Sequence, residues 1–486
     1  MMEKISFYSD DNFFKEIERI TKKYPHNILP SNSSEEFLLM TSQNYYENRK
    51  DQFATGLLSR ISLITKQAHF FFIEESYTEH TWKELHALHY ANTSYTNNNQ
   101  VRRVHFWNNE CNLDLAMSGS YENIATSYLG YVTLRPVPDY HLMLSSIIPN
   151  WMALKYSEDA WIMTYDRNVH VFGFDIPIKT TPFYFQDTVF MRCVHADMLM
   201  FSMFCHHAYK FPRLSVSDMI EDGKYHQIPH EGLEYTDILN IFAKHKIPVD
   251  FYYQSDQKLD PTEKQRNYVA TLNSYLESGL PAIIYNDQHV VLAIGHTSGS
   301  NSERKFIIYD DSGFFLNRAV GENNFVGAVT ADYLFPKEGD TYMIAATYER
   351  IYLKSQGYFQ FLDKYLSSLE SSSDDNFPSS FFDCRNIIVD NTTVKSFLRE
   401  HCIEMEDEDT RKRLNEFLTS NQPHYLWFSE YTGKKGRWVL LADPTLPPNT
   451  WESIFPYDFF MCDLEADGMS LLTHIGCYNI KRREER

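Results

Sequence analysis

The chain has 486 residues, of which 43% are hydrophobic, and it carries a formal net charge of −20. A chain of this length and apolar content can bury a sizeable core, and the length predicts about three domains. Phosphates and anionic lipid headgroups are bound by basic surfaces. The acidic balance therefore argues against nucleic acid and against a membrane as partners.

The cysteine pattern and the N-terminal sequence indicate the cellular compartment of the protein. The seven cysteines are widely spaced, odd in number and contain no Cys-x-x-Cys pair, which favours free thiols in a reducing compartment. The first residues lack the basic-then-apolar pattern of a signal peptide, and no window reaches the roughly 18 consecutive apolar residues of a membrane helix. We therefore expect a cytoplasmic protein.

Residues 1–160 predict an N-terminal α/β accessory domain. The expected elements are helices over 12–20, 45–58 and 77–90 and strands over 68–75, 101–107 and 128–135. His86 and His89 lie three residues apart on one predicted helix, but the sequence places no Glu or Cys partner beside them. We interpret these histidines as solvated side chains and predict no metal site.

The central segment, residues 161–345, holds the residues that predict chemistry. Apolar residues recur at helical spacing after Cys193, so a helix begins at or just after this cysteine. A thiol at a helix N-terminus feels the positive end of the helix dipole, which favours the nucleophilic thiolate. Gln186 precedes the cysteine by a short interval, and a side-chain amide there can stabilise an oxyanion.

A histidine and two aspartates follow at the ends of predicted strands. His289 opens the second strand of a predicted hairpin, and the next strand, 306–309, runs directly into Asp310 and Asp311. A histidine acts as a base toward a thiol when a third group orients its other ring nitrogen. Successive side chains of a strand point to opposite faces, so only one of the two aspartates can orient His289. The sequence leaves both as candidates.

In this order the residues resemble the papain-like cysteine peptidases, and within them the bacteriocin leader peptidases that remove double-glycine leaders. The matching pieces cover about a third of the chain and are Gln186, Cys193 with Met198–Met200, Ser215–Ser217, Gly232–Leu239, Leu272–Pro281, His289–Leu292 and Tyr309–Asp311. The resemblance implies that Cys193 is the nucleophile, His289 the base and Gln186 the oxyanion donor. Asp310 or Asp311 would be the orienting carboxylate.

Three positions differ from the pattern of that family. Val194 stands where the family has glycine, and the interval from Gln186 to Cys193 is one residue longer. The candidate aspartate is followed by Asp311 or by Ser312 where the family has proline. These differences leave two alternatives open. One is an amidase or acyl-transfer enzyme that uses the same residues, and the other is a papain-fold binding module without catalysis.

Residues 346–486 predict a C-terminal α/β accessory domain, which begins with helical spacing over 348–369 and a polar linker at 371–376. The predicted fold class is therefore α+β, with a papain-like domain over 161–345 between two accessory domains. The predicted activity is hydrolysis of a peptide or isopeptide bond by an intracellular cysteine peptidase that needs no cofactor or metal. The expected partner is a peptide or protein substrate, and an activating protein or a second copy of the chain stays open as a further partner.

Overall fold

A computed structural model of the chain describes residues 70–92, 99–107, 121–135, 142–146, 160–186, 193–222, 233–254, 260–286, 289–298, 304–311, 316, 319, 326–337, 339–370, 380–401, 408–432, 437–446, 458–462 and 477–480. The strands are β1 (Phe70–Tyr77), β2 (Val101–Trp107), β3 (Tyr128–Leu134), β4 (Leu142–Ser146), β5 (Ala160–Met163), β6 (Tyr165–Val171), β7 (Phe174–Thr180), β8 (Pro182–Tyr184), β9 (Val249–Tyr252), β10 (Ala282–Asn286), β11 (His289–Thr297), β12 (Phe306–Tyr309), β13 (Val326–Val329), β14 (Thr341–Ala346), β15 (Arg385–Asp390), β16 (Tyr425–Thr432), β17 (Arg437–Ala442), β18 (Asp458–Cys462) and β19 (Cys477–Ile480). The helices are α1 (His80–Leu88), α2 (Tyr121–Thr126), α3 (Cys193–Tyr209), α4 (Val216–Asp222), α5 (Tyr235–Lys244), α6 (Pro261–Glu277), α7 (Ala331–Leu334), α8 (Ser355–Glu370), α9 (Asn391–His401) and α10 (Glu408–Thr419), with short 3₁₀ turns at Tyr90–Asn92 and Phe381–Asp383.

Within these residues the strands form three sheets and one two-stranded ribbon, all antiparallel. The first sheet has the order β1-β2-β3-β4-β8. The second sheet is called the central sheet below, and the third sheet has the order β15-β16-β17-β18. The central sheet has the order β13-β12-β11-β10-β14-β9 and is extended by β5, which pairs with β11, and by β19, which pairs with β5. The ribbon is β6 with β7. This mixture of helices and antiparallel sheets confirms the α+β class.

The predicted elements of the central segment are present. Helix α3 begins at Cys193 itself, β11 begins at His289, and β12 ends at Tyr309. The expected helices over 12–20 and 45–58 and the linker at 371–376 lie outside the described residues. None of the described helices combines the length and apolar content needed to cross a bilayer.

Helix α3 is buried from Val194 to Cys205 and packs against β6, β8, β10 and β11. A helix that is apolar on all sides belongs in a core, and the Ala-, Met- and Phe-rich sequence of α3 has this composition. Three polar side chains interrupt the buried run, His195, Asp197 and Ser202. The hydroxyl of Ser202 accepts a 2.8 Å hydrogen bond from the backbone N–H of Leu214.

Strand β11 is the central strand of the sheet because it pairs with β10, β12 and β5. Its register with β12 shifts between Ala293 and Gly295, and from Gly295 onward it also pairs with β5. A Cβ atom built on Gly295 would lie 2.0 Å from the carbonyl oxygen of Trp161. Glycine is therefore required at this position, since any side chain would separate β5 from β11.

We predict that Gly295→Ala destabilises the fold by about 2 kcal/mol or more, because the new methyl group collides with backbone atoms that cannot move aside. Thermal unfolding of the purified variant measures this loss. Gly173→Ala is the matched control, since Gly173 has a φ of 81° but no atom within 4 Å of its Cβ position. Gly173→Ala should lower the free energy of unfolding only by the backbone strain, about 1 kcal/mol. Equal losses in the two variants would contradict the packing role of Gly295.

A buried carboxylate joins the central sheet to the third sheet. Glu277, the last residue of α6, accepts hydrogen bonds from Arg304 at 2.6 Å and from Arg385 at 2.5 Å. Arg385 also contacts Glu430 on β16 at 3.3 Å. Burial would raise the pKa of Glu277, but Arg385, Arg304 and His296 lower it to about 2. The two sheets are therefore connected by a desolvated cluster of two arginines and two glutamates that are joined by hydrogen bonds.

We predict that Glu277→Gln lowers the melting temperature at pH 7, because two arginines lose their buried partner. The depressed pKa of Glu277 contributes about 3 kcal/mol of stability above pH 4.5, and this contribution is lost as the pH falls toward 2. The variant lacks that contribution, so its melting temperature falls less than that of the wild type below pH 4.5. Thermal unfolding across pH measures both effects, and Glu263→Gln, at an exposed position of α6, should match the wild type.

Candidate active site

Three elements bring the predicted residues together. Cys193 is the first residue of α3, and α3 packs along β11. His289 is the first residue of β11, where its backbone N–H donates a 3.1 Å hydrogen bond to the side chain of Asn286. The antiparallel register pairs Leu292 with Tyr309. The residues that follow Tyr309 therefore run alongside the start of β11, toward His289.

The side chains of His289 and Asp310 are in hydrogen-bond contact. Nε2 of His289 lies 3.0 Å from Oδ1 of Asp310, and the His289 side chain is only 10% exposed. The other oxygen of Asp310 accepts a 2.9 Å hydrogen bond from the backbone N–H of Leu316. Both oxygens of Asp310 are thus engaged, which fixes the carboxylate and the imidazole ring in one orientation.

The imidazole of His289 also interacts with the thiol of Cys193. Burial would lower the pKa of His289, but hydrogen bonds with Asp310, Asp311 and Cys193 raise it well above its usual value. Since Nε2 faces the carboxylates, Nδ1 is the nitrogen left for the thiol. The imidazole thus has hydrogen-bonding partners in both the Cys193 thiol and the carboxylates, as a thiolate–imidazolium pair requires.

Asp311 is close to His289 but makes a longer contact. Its Oδ1 lies 3.5 Å from Nε2 of His289, whereas Asp310 lies at 3.0 Å. Burial raises the pKa of Asp311 to about 6, against the opposing effect of His289. The structure therefore brings both candidate aspartates to His289 and gives Asp310 the shorter contact.

Gln186 is buried and lies two residues beyond the end of β8. The guanidinium of Arg135 donates a 3.0 Å hydrogen bond to the carbonyl oxygen of the preceding residue, Phe185, which holds this backbone in place. Residues 187–192, which join Gln186 to Cys193, lie outside the described residues. The role of Gln186 as an oxyanion donor stays a prediction.

Sequence reasoning missed Asp197. This residue lies one helical turn after Cys193 and has no exposed surface, and it interacts electrostatically with Asp311, Cys193, His289 and Asp310. A signal existed, because Asp197 is the one acidic residue in the apolar run of α3 and aspartate is almost never fully buried without a partner.

The side chains of His289, Asp310 and Asp311 also form a group that could hold a metal ion, since their ligand atoms lie within 4.8 Å of one another. Both oxygens of Asp310 already accept hydrogen bonds from protein groups, and this geometry fits an orienting carboxylate.

The sequence analysis expected the side chain of His86 to be solvated, and this was wrong. It is 9% exposed because its ring packs edge-on against Trp82 at 5.8 Å.

Comparison with known proteins gives little on function. No protein-family profile matches the chain, and no curated protein matches it. Nine chains of solved structures match, among them that of UfSP from C. elegans, with 13% sequence identity and a TM-score of 0.25. This match covers 34% of the present chain and 33% of the UfSP chain. A likeness of this size carries no argument about activity.

We predict that the imidazole of His289 is still protonated at pH 7, because its pKa lies well above the usual value. NMR of histidine labelled at the ring carbon measures the titration, with His289→Ala to assign the signal. Asp310→Asn should lower the midpoint by about one pH unit or more, since a charged partner at 3.0 Å is lost. Asp166→Asn, which removes an exposed partner of Lys179, should leave the titration midpoint of His289 unchanged. An unshifted midpoint in Asp310→Asn would contradict the pairing.

Proposed function

We propose that this protein is a cysteine hydrolase of the papain-like class that cleaves a peptide or isopeptide bond through Cys193, His289 and Asp310. The observation that carries the proposal is the arrangement of His289, whose Nε2 is bonded to Asp310 while its ring also meets the Cys193 thiol at a helix start. Each residue type is matched to its task, since a thiol needs a base and the base needs an orienting group.

The chemistry follows from these positions. The Cys193 thiolate attacks the carbonyl carbon of the amide, and the imidazolium of His289 then gives its proton to the leaving amine as the C–N bond breaks. The acyl group remains on sulfur as a thioester. A water molecule next loses a proton to His289 and attacks the thioester, which releases a carboxylic acid and restores the thiol. Asp310 holds the imidazole in place throughout and stabilises its charged form.

The oxyanion of the tetrahedral intermediate needs hydrogen-bond donors beside the cysteine. The backbone N–H groups in the first turn of a helix have no partner within the helix, so the N–H of Cys193, the first residue of α3, is one donor in this proposal. The buried amide of Gln186 is the second. Each such donor contributes about 3 kcal/mol to transition-state stabilisation in comparable sites.

Peptide or protein substrates are part of the same proposal. The site requires an amide carbonyl to approach Cys193, which is partly exposed, while His289 and both aspartates lie behind it. The accessory segments before and after the papain-like region are then the parts available to select the substrate, in the domain division 1–160, 161–345 and 346–486 that the sequence predicts.

Alkylation by iodoacetamide at a series of pH values, read by peptide mass spectrometry, tests whether Cys193 is activated. Only the thiolate reacts, so we predict that at pH 6.5 Cys193 labels about tenfold or more faster than the other thiols. Cys205 and Cys384 are slow internal references, because burial raises the pKa of Cys205 well above its usual value and that of Cys384 to about 12. His289→Ala should remove the excess.

The matched control for that experiment is His170→Ala, which removes a histidine from an exposed pair with Asp175 and should keep the wild-type rate. If Cys193 labels no faster than the reference thiols in the wild type, the nucleophile is not activated and a binding module becomes the better explanation. If Cys193 is activated but the only product found is that of transfer to an added amine, the acyl-transfer alternative replaces hydrolysis.

A further inference from the structure

Asp311 is a buried carboxyl group that the proposed mechanism does not use. Its side chain has no exposed surface, and its Oδ1 lies 3.5 Å from Nε2 of His289. Asp310 lies nearer to the same nitrogen, at 3.0 Å, and is enough to orient the ring. One imidazolium balances one carboxylate, and a further buried charge is costly unless it is paired or binds a metal. The second aspartate therefore needs an explanation of its own.

The three side chains around this nitrogen have the spacing of a metal site. Neighbouring ligand atoms of a tetrahedral Zn²⁺ ion, with bonds of about 2.0–2.1 Å, lie about 3.3–3.4 Å apart. Nε2 of His289 lies 3.0 Å from Oδ1 of Asp310 and 3.5 Å from Oδ1 of Asp311. One ligand atom from each of the three residues lies within 4.8 Å of the other two. An ion at bonding distance from all three atoms therefore needs only small side-chain shifts.

Charge and ligand type select the ion. With a neutral imidazole the group carries the two negative charges of Asp310 and Asp311, both fully buried, and a divalent cation neutralises both. Imidazole nitrogen is a ligand for Zn²⁺, whereas Mg²⁺ and Ca²⁺ prefer oxygen. The N–H of Leu316 donates a 2.9 Å hydrogen bond to the other oxygen of Asp310, and an outer hydrogen bond of this kind orients a ligating carboxylate. The group thus fits zinc in charge, in ligand atoms and in support.

We propose that His289, Asp310 and Asp311 bind Zn²⁺ and that the ion reversibly blocks the site. Zinc takes the place of the proton on Nε2, which passes to solvent, so the zinc-bound and catalytic forms exclude each other. An imidazole bound to zinc through Nε2 keeps its proton on Nδ1 and has no free nitrogen to accept another. His289 can then neither protonate the leaving amine nor activate water. The metal site is inferred from geometry, whereas the block of catalysis rests on the proposed function.

Competition with a fluorescent zinc chelator measures the affinity of the full-length protein for ZnCl₂. Asp311→Asn should weaken binding by about a hundredfold or more, because loss of even an outer partner of a ligand costs up to that factor. Asp166→Asn, at an 82% exposed carboxylate, is the control and should keep the wild-type affinity. Equal affinities in wild type and Asp311→Asn overturn the proposal. Thermal unfolding shows whether Asp311→Asn folds, and if it does not, His289→Ala, which should also lose the ion, decides.

Cobalt substitution tests which side chains are the ligands. Cys193 meets Nδ1 and not Nε2, so Co²⁺ at this site should absorb in the visible without a thiolate-to-cobalt charge-transfer band from Cys193. Cys193→Ser should therefore keep both the cobalt spectrum and the wild-type zinc affinity. A charge-transfer band that Cys193→Ser removes, or a loss of zinc binding in this variant, means that the ion is bound by the thiol and overturns the assignment.

The metal site and the hydrolase activity can fail separately. Zinc binding that depends on Asp311, in a protein whose Cys193 shows no excess reactivity, leaves the metal site standing and removes the hydrolase proposal. An activated Cys193 in a protein that binds no zinc at this site has the opposite meaning. Where the wild type cleaves an amide, ZnCl₂ at concentrations that fill the site should abolish turnover, and a chelator should restore it. Turnover that persists with the site filled overturns the block.

Discussion

The contact between His289 and Asp310 depends on the register between two neighbouring strands, β11 and β12. His289 can reach Asp310 only if β11 begins where β12 ends, and this requires the antiparallel register in which Leu292 pairs with Tyr309. A slip of one residue would turn every side chain of a strand to the opposite face. The pairing of β11 with β10, β12 and β5 holds that register, with Gly295 allowing the close approach of β5. The strand pairing of the central sheet thus fixes the position of the His289 imidazole ring.

Much of the central segment could be predicted from sequence because its signals are local. Helical spacing after Cys193 and the short apolar runs around His289 and Tyr309 specify elements whose ends coincide with the structure. The choice between Asp310 and Asp311 could not be predicted, since it depends on which carboxylate meets Nε2 and which one the N–H of Leu316 reaches. Those distances are set by tertiary contacts.

Long-range pairing was likewise beyond the reach of sequence patterns. Proline within a run of residues argues against a central strand, yet Pro177 lies within β7 and Pro182 begins β8. Pro177 is tolerated because β7 belongs to a two-stranded ribbon, in which every strand is an edge. Strand β8 joins the sheet of β1 to β4 although it is adjacent in sequence to α3, a pairing that no local pattern encodes.

The pairing of β19 with β5 has a consequence for how the protein is made. Strand β5 lies beside β11 through residues 160–163, and its other edge is covered by residues 477–480. A ribosome releases the chain from its N-terminus onward, so the edge of β5 stays open until nearly all of this sequence has been synthesised. Contacts this distant in sequence also form slowly, because the intervening loop must close first. The sheet that carries His289 is therefore completed late in biosynthesis, after every strand of the other two sheets has been synthesised.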